Sequence, residues 1–426
     1  MQRLWRIVAP TPLFRGPGRA KGGLVVHAFG GFNSLNDSAR QGGDWDAALP
    51  QAAAGADVSA LVLDCRSVDE LRGLGEAFRL AKKHARSISK ATGGRIVVLA
   101  DSRPATPEAA AVAEGLEGFV RSVAKEIGSA NGATATLLKT PRGPKAAARA
   151  SATLRFLLSG RSAYVTGTSF SVDAGDSLDD SLDVAPPEDD ASDYFGDDAH
   201  SGVRGLRCLV TGAAQGIGAA VAMRLEAAGA TVVRADRLAG DGIDTVDVSS
   251  AADRSRFVRD LSERFESFET VVHCAGVLRD RTLAKMSDED WDVSLAVNAI
   301  APIELTHDLG PLLSKGASVV YLGSTSGVAG SYGQTNYATA KAALHGHAAS
   351  LKTHYRVNVV SPGFIDTAMT QKLPLLHRVV GSRLNALGRP GTPDDVAGLV
   401  QHLVSPRSGG VRGQLVRCCG GFFPGR

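Results

Sequence analysis

The chain has 426 residues, 44% of them hydrophobic and 21% charged. That is too long for one ordinary core and balanced as a globular protein is, so two domains are expected and a disordered or membrane-spanning chain is not. The 47 Lys and Arg against 44 Asp and Glu leave a net charge of +3, dispersed beyond the N-terminus, which argues against nucleic acid as the main partner. The five cysteines (Cys65, Cys208, Cys274, Cys418, Cys419) have no C-x-x-C spacing, so neither a disulfide framework nor a metal site is indicated, and a reducing cytoplasm fits best.

In chain order, Arg3, Arg6, Arg15, Arg19 and Lys21 precede the first acidic residue, Asp37. A transit peptide has that look, but Pro and Gly breaks and the lack of helical periodicity favour a frayed arm over residues 1–20. Strand-like GLVVHAFG, ALVLDCRS and RIVVLADS follow, then a helix around Leu116–Ile127 and a strand at Ala135–Leu138. They predict a first α/β domain over residues 21–175. Its end, LLSGRSAYVTGTSFSV, can be laid on LVSPRSGGVRGQLVRC near the C-terminus, which sets Ser159, Arg161, Ser162, Val165 and Gly167 on Ser405, Arg407, Ser408, Val411 and Gly413. An internal duplication is expected. Between Arg161 and Arg204 there is no Lys or Arg, while acids crowd residues 173–198 around Pro186 and Pro187. Such a run repels itself and predicts an extended linker over 176–202.

From 203 to 426 short β-branched runs (LRCLV, ATVVRAD, TVVHCAG, ASVVYLGS, VNVVSPG) alternate with helix-length segments. Such alternation predicts a doubly wound parallel sheet with helices on both faces. Straight after LRCLV comes Thr211-Gly212-Ala213-Ala214-Gln215-Gly216-Ile217-Gly218. A dinucleotide's pyrophosphate needs glycines there, because any side chain would hold the backbone and helix N-terminus away from it. The next strand ends at Asp236, about twenty residues on, where a carboxylate accepts from ribose hydroxyls and repels a 2′-phosphate. NADH is therefore favoured over NADPH. Gln215 agrees, since a phosphate-accepting loop would gain from a cation; Arg237 is the contrary sign.

Tyr337 and Lys341 form Y-x-x-x-K in a helical stretch, which sets both on one face. A phenol near pKa 10 is a poor acid at neutral pH, and an adjacent ammonium is expected to lower it. Ser324 precedes Tyr337 at the end of a strand-like run, where ligands of open α/β sheets bind. It can hydrogen-bond a substrate oxygen while Tyr337 protonates it. His345 and His347 read as surface or packing residues.

Together these elements resemble the short-chain dehydrogenase/reductase superfamily, over about residues 203–421. Its glycine motif is matched at Thr211–Gly218, its Asn-Ala-Gly region at Cys274-Ala275-Gly276, its asparagine at Asn298, its serine, tyrosine and lysine at Ser324, Tyr337 and Lys341, and its PG motif at Pro362-Gly363. The resemblance implies that Asn298 holds a water in a proton relay to Lys341, which also grips the nicotinamide ribose. It implies too that Ile365 and Thr367 contact the carboxamide, and that Asp247 and Val248 lie by the adenine. His273-Cys274 departs from the family's two asparagines, which puts sheet-stabilising hydrogen bonds there in doubt.

More closely, LRDRTLAKMSDEDWDVSLAVN, GQTNYATAKA and GRPGTPDDVA resemble 3-oxoacyl-(acyl-carrier-protein) reductases. The first half is similar to the flavodoxin-like or degenerate Rossmann domain of their high-molecular-weight form. That resemblance implies reduction of 3-oxoacyl to 3-hydroxyacyl groups on coenzyme A or acyl carrier protein. An acidic carrier docks on a basic patch in such enzymes, and the stretch from Lys352 to Arg356 offers few cations, so a CoA thioester is at least as plausible. The reverse oxidation of a hydroxyacyl-CoA or another secondary alcohol stays open, and so does a non-catalytic two-lobed scaffold. Laying LEGFVRSVAKE on LHGHAASLKTH sets Ala109 and Ala113 where Tyr337 and Lys341 stand, and Gly30-Gly31 lacks the full glycine spacing. A catalytically silent first lobe is expected, filling the place of a second subunit through Leu116, Phe119 and Val123, so that a homodimer mimics four subunits.

Overall fold

The computed structural model describes residues 23–28, 58–172, 202–371 and 383–422. The N-terminal arm, the Gly30-Gly31 turn and most of the acidic linker lie outside them. The first lobe is a parallel sheet of β1 (Gly23–Ala28), β2 (Val58–Asp64), β3 (Arg95–Ala100), β4 (Thr134–Lys139) and β5 (Ser169–Ser171), paired in that order. Helices α1 (Leu74–Lys90), α2 (Pro107–Asn131) and α3 (Pro144–Leu158) connect the strands. Every residue of β2 and β3 is buried, as expected of a parallel sheet covered on both faces. Helix α2 starts where Thr106 accepts from the Ala109 amide with Pro107 following, and stops at Gly132 with φ of 70°. These are ordinary start and stop chemistries.

The second lobe contains β6 (Arg207–Thr211), α4 (Gly216–Ala227), β7 (Thr231–Asp236), β8 (Ile243–Thr245), α5 (Ala251–Arg264), β9 (Phe268–His273), α6 (Asp288–Leu295) and α7 (Ala301–Asp308). It continues through β10 (Leu313–Leu322), α8 (Thr325–Ala329), α9 (Thr335–Leu351), β11 (Arg356–Pro362), α10 (Ala368–Gln371), α11 (Pro393–Val404) and β12 (Leu415–Cys418). The seven strands are parallel in the order β12-β11-β10-β9-β6-β7-β8. Because β6 has β7 on one side and β9 on the other, chain direction reverses there and a crevice opens beyond the strand ends. This is the doubly wound, Rossmann-like sheet expected from the alternation. Among the described residues, the strands of the first lobe run in simple chain order.

The proposed duplication is visible in matching bonds. Ser159 and Ser405 each cap a single 3-10 turn. Ser162 donates to the Leu157 and Ser159 carbonyls as Ser408 does to those of Leu403 and Ser405. Gly167 and Gly413 both have positive φ, 62° and 67°. Each donates its amide to the neighbouring strand, at Ala135 and Val357.

These repeated segments hold the lobes together. Phe156 of α3 stacks on His402 of α11 with ring centroids 4.3 Å apart, and Phe170 meets the same histidine edge-on. Gln414 accepts from the Ser171 amide and donates to the Ser171 carbonyl, while Arg417 donates to the Gly167 carbonyl. Residues 396–404 of α11 are all buried, since both lobes cover the helix. Leu116 does not supply this contact: it is buried in the first lobe's own core, with Phe119 and Val123 packed against that core. No helix among the described residues is long and apolar enough to cross a membrane.

Phe156 is fully buried between the lobes, so Phe156→Ala should lower unfolding free energy by about 3–5 kcal/mol. Urea denaturation of the full chain measures this; a loss under about 1 kcal/mol would mean that the junction is loosely packed.

Candidate active site

The loop after β6 is shaped by close backbone contact. Gly212 has φ of 67°, and a Cβ on it would lie 2.5 Å from the Ala275 nitrogen. On Gly218, a Cβ would stand 2.1 Å from the Gly212 carbonyl oxygen. Neither position accepts a side chain, and the loop passes bare into the N-terminus of α4, with Gln215 exposed as N-cap and Gly216 and Ile217 in its first turn. Asp236 closes β7 against this loop, accepting from the Ala214 amide at 3.0 Å and from the Leu238 amide at 3.0 Å. Beyond it, Asp247 accepts from the Ser249 hydroxyl and amide. The Ser249 hydroxyl bond and the Arg237 charge draw its carboxyl below the usual range against a partial burial that raises it. Val248 follows, buried.

Beside the loop runs Cys274-Ala275-Gly276. The Cys274 amide donates to the Thr211 carbonyl, and burial pushes its thiol up to about 12. A Cβ on Gly276 would stand 2.9 Å from Asn298 Oδ1 and 3.7 Å from Lys341 Nζ, so these three residues adjoin. Between α6 and α7 the chain widens into a π turn at Ala296–Ile300, a distortion that often marks functional sites. Asn298, in its middle, donates through Nδ2 to the Val277 carbonyl at 2.9 Å and the Ser294 carbonyl at 3.0 Å, and accepts from the Val277 amide at 3.2 Å.

Ser324 caps α8 by accepting from the Ser326 amide, and its hydroxyl stands near enough to the Tyr337 phenol to favour the ionised form. One turn along α9, the buried Lys341 ammonium donates to the Leu322 carbonyl at 2.8 Å and lies 5.6 Å from the Tyr337 ring centroid. The expected lowering of the phenol pKa does not occur. Burial pushes it up to about 12, the Ser324 hydroxyl opposing and Asp280 adding to the rise. Burial also draws Lys341 down to about 8, with the nearby Cys274 opposing. The ammonium faces a carbonyl and the ring rather than the hydroxyl, so desolvation outweighs the ion–phenol attraction. At neutral pH the phenol holds its proton.

Near the same crevice, Pro362 ends β11, and Gly363 leaves room for Cys419, whose Cβ would be 2.8 Å from an added methyl. Ile365 is buried, and Thr367 points back to the glycine loop, its Cγ2 3.9 Å from a Cβ on Gly216. The expected residues thus come from the segments at and after the carboxyl ends of β6 to β11, with Asn298 on the π turn and Tyr337 and Lys341 on α9. Sequence reading missed a polar chain beside them: Ser326 donates to Gln334 Oε1, and Gln334 Nε2 donates to Asp280, both at 2.8 Å. Asp280 and Gln334 stand within quoted motifs, but only the fold brings them together. The doubt over His273 resolves as well. Its Nε2 pairs with the Thr306 hydroxyl at 2.9 Å, which pairs with Tyr321, and Tyr321 with His347. Burial, with the His347 and Lys341 charges, holds His273 down to about 3 and hence neutral.

Comparison with known proteins places the second lobe in a family. The sequence profile described as Enoyl-(Acyl carrier protein) reductase matches residues 212–423. The chain is 34% identical over 243 residues to 3-oxoacyl-(acyl-carrier-protein) reductase FabG of Thermotoga maritima, spanning 52% of this chain and 98% of that one. It is 37% identical over 252 residues to the (3R)-3-hydroxyacyl-CoA dehydrogenase of Rattus norvegicus, spanning 52% and 97%. A solved short-chain dehydrogenase/reductase from Serratia marcescens has 26% identity and a TM-score of 0.49 over 52% of this chain and 99% of its own. The chain belongs to the short-chain dehydrogenase/reductase family, whose members are oxidoreductases dependent on NAD(P)(H).

Lys341 gives a pH test. It takes its proton at 10.5 when unfolded and at about 8 in the fold, so the penalty for burying the ammonium is full below pH 8 and is relieved as pH rises toward 10.5. Stability of the parent relative to Lys341→Met should rise across that window. A difference that stays flat between about pH 7 and pH 10 would contradict the depressed value.

Proposed function

We propose that the protein reduces the 3-oxo group of acyl thioesters to a 3-hydroxy group, with NADH as reductant and Tyr337 as general acid. The observation that carries this reading is the Tyr337 phenol, protonated at neutral pH, with the buried Lys341 ammonium 5.6 Å from its ring and the Ser324 hydroxyl favouring its ionised form. The residues present fit a dinucleotide: Gly212, Gly216 and Gly218 leave bare backbone at the N-terminus of α4, and Asp236 is tied to that loop. Gln215 and Ile217 line the same turn, Asp247 and Val248 would flank the adenine, and Cys274, Ala275 and Gly276 the inner ribose. Pro362, Gly363, Ile365 and Thr367 would receive the carboxamide.

When bound, the nicotinamide supplies a hydride to the carbonyl carbon. Ser324 donates to the carbonyl oxygen and holds it beside the phenol, and Tyr337 passes its proton there as negative charge develops. Lys341 grips the ribose. The Asn298 side chain is spent on Val277 and Ser294, so any water it keeps for a relay to Lys341 is held through the backbone of the π turn. NADH is preferred because Asp236, at the end of β7 beside the glycine loop, repels a 2′-phosphate.

The names of the bacterial and rat relatives support an acyl thioester as substrate. A CoA carrier is favoured over an acidic protein: Arg356 is buried, its guanidinium donating to the Gly316, Val404 and Ser405 carbonyls, so it cannot join Lys352 in a basic patch. Oxidation of a 3-hydroxyacyl-CoA would use the same residues in reverse, and cofactor ratio would set the direction. We read residues 21–175 and 203–426 as the two domains, the first filling a subunit's place, so that a homodimer is the expected assembly.

Loss of NADH absorbance with acetoacetyl-CoA tests the activity. Tyr337→Phe should lower kcat by about 10²–10⁴-fold while NADH still binds; more than about a tenth of the parent rate would assign the proton to another group. Asp236→Ser should narrow or invert the preference for NADH. A parent enzyme that already works better with NADPH would make Arg237 the governing residue.

A further inference from the structure

We propose that Tyr164, a residue of the first lobe, is a positioning residue for the loop that receives the nicotinamide end of the cofactor, so that the lobe takes part in cofactor binding as well as in stability. The inference rests on the reading of Ile365 and Thr367 given above.

Tyr164 follows the 3-10 turn capped by Ser159 and is completely buried, although its partners belong to the other lobe. Its hydroxyl faces the Arg389 carbonyl at 3.2 Å and the Phe364 carbonyl at 3.4 Å, and accepts from Asn385 Nδ2 at 3.3 Å. The Arg389 guanidinium lies 4.8 Å from the ring centroid and is held there by Asp395. The Tyr164 carbonyl accepts from the Gly420 amide at 2.9 Å. Burial raises the phenol far above its ordinary range, so it remains a neutral donor.

The ring sits against Gly391. A Cβ there would meet the ring and Ile365 Cδ1, each at 2.5 Å. Gly391 in turn is bridged to the cofactor loop: its amide donates to the Phe364 carbonyl at 2.9 Å, and its carbonyl accepts from the Asp366 amide at 2.8 Å. Two residues beyond Ile365, Thr367 reaches the Gly216 turn. A continuous path of contact thus runs from the first lobe through Gly391 and Phe364 to Ile365, Thr367 and the glycine loop. The matching position in the repeated segment of the second lobe is Gly410 (Ser405 lies on Ser159), which has no ring to insert. The contact is one-directional, from the silent lobe into the site.

The test compares two ligands on the full chain: NADH, which spans the crevice, and ADP-ribose, which lacks the nicotinamide. Tyr164→Ala should weaken NADH about tenfold, because a displaced loop loses its aligned contacts, and leave ADP-ribose within about twofold. Tyr164→Phe, which keeps the ring against Gly391, should recover most of the NADH affinity. Equal weakening of both ligands, or of neither, would overturn the proposal, the first showing general loosening and the second no coupling. Thr367→Ala separates failure of the underlying reading: if it too leaves NADH and ADP-ribose equally bound, the loop is not the nicotinamide site, whatever Tyr164 does.

Discussion

Two loops of the second lobe meet backbone to backbone, and the site depends on that contact. Gly212 comes so near Ala275 that a single methyl group would force the strands β6 and β9 apart at their ends. With the loops pressed together, Gly276 reaches Asn298 and Lys341 on one side while Ala214 holds Asp236 on the other. Glycine is required for proximity here more than for flexibility. The reversal of strand order between β6 and β9 opens the crevice, and the bare backbone sets how closely its two walls approach.

Burial then governs the chemistry of the titratable groups. It raises Tyr337 and lowers Lys341, so both move toward their neutral forms. A phenol raised in this way keeps its proton at neutral pH, and the Ser324 hydroxyl is the local influence that opposes the rise. His273 shows the same influence: buried and neutral, it replaces the family's asparagine by pairing with Thr306, and a hydroxyl chain carries the contact to His347. A different side chain meets the same requirement, a satisfied polar group beneath the site.

The first lobe is a partial repeat of the second, and the junction uses what was repeated. Ser159 and Ser405, Ser162 and Ser408, and Gly167 and Gly413 build equivalent turns on the two sides of the α3–α11 contact. Ala109 and Ala113 of α2 are buried and carry no chemistry. Tyr164 is where the symmetry breaks, since its counterpart is a glycine. The first lobe there places a phenol ring against Gly391 of the second.

The amino-acid sequence by itself determined the elements and the chemical parts. Alternating β-branched runs specify a covered parallel sheet, the glycine spacing after LRCLV specifies a side-chain-free turn, and Tyr337 and Lys341 four apart on a helix must share a face, because these are consequences of local geometry. The repeat was legible too, since matching turns need matching small residues. What only the tertiary structure decided is whatever depends on neighbours distant in the chain. Whether an ammonium lowers a phenol depends on which atom it faces and how dry the surroundings are. Whether Leu116 points to its own core or to the other lobe depends on how α2 is turned on its sheet. The joining of Asp280 to Gln334, of His273 to Thr306, and of Tyr164 to a loop more than two hundred residues away follows from packing, which no local pattern encodes.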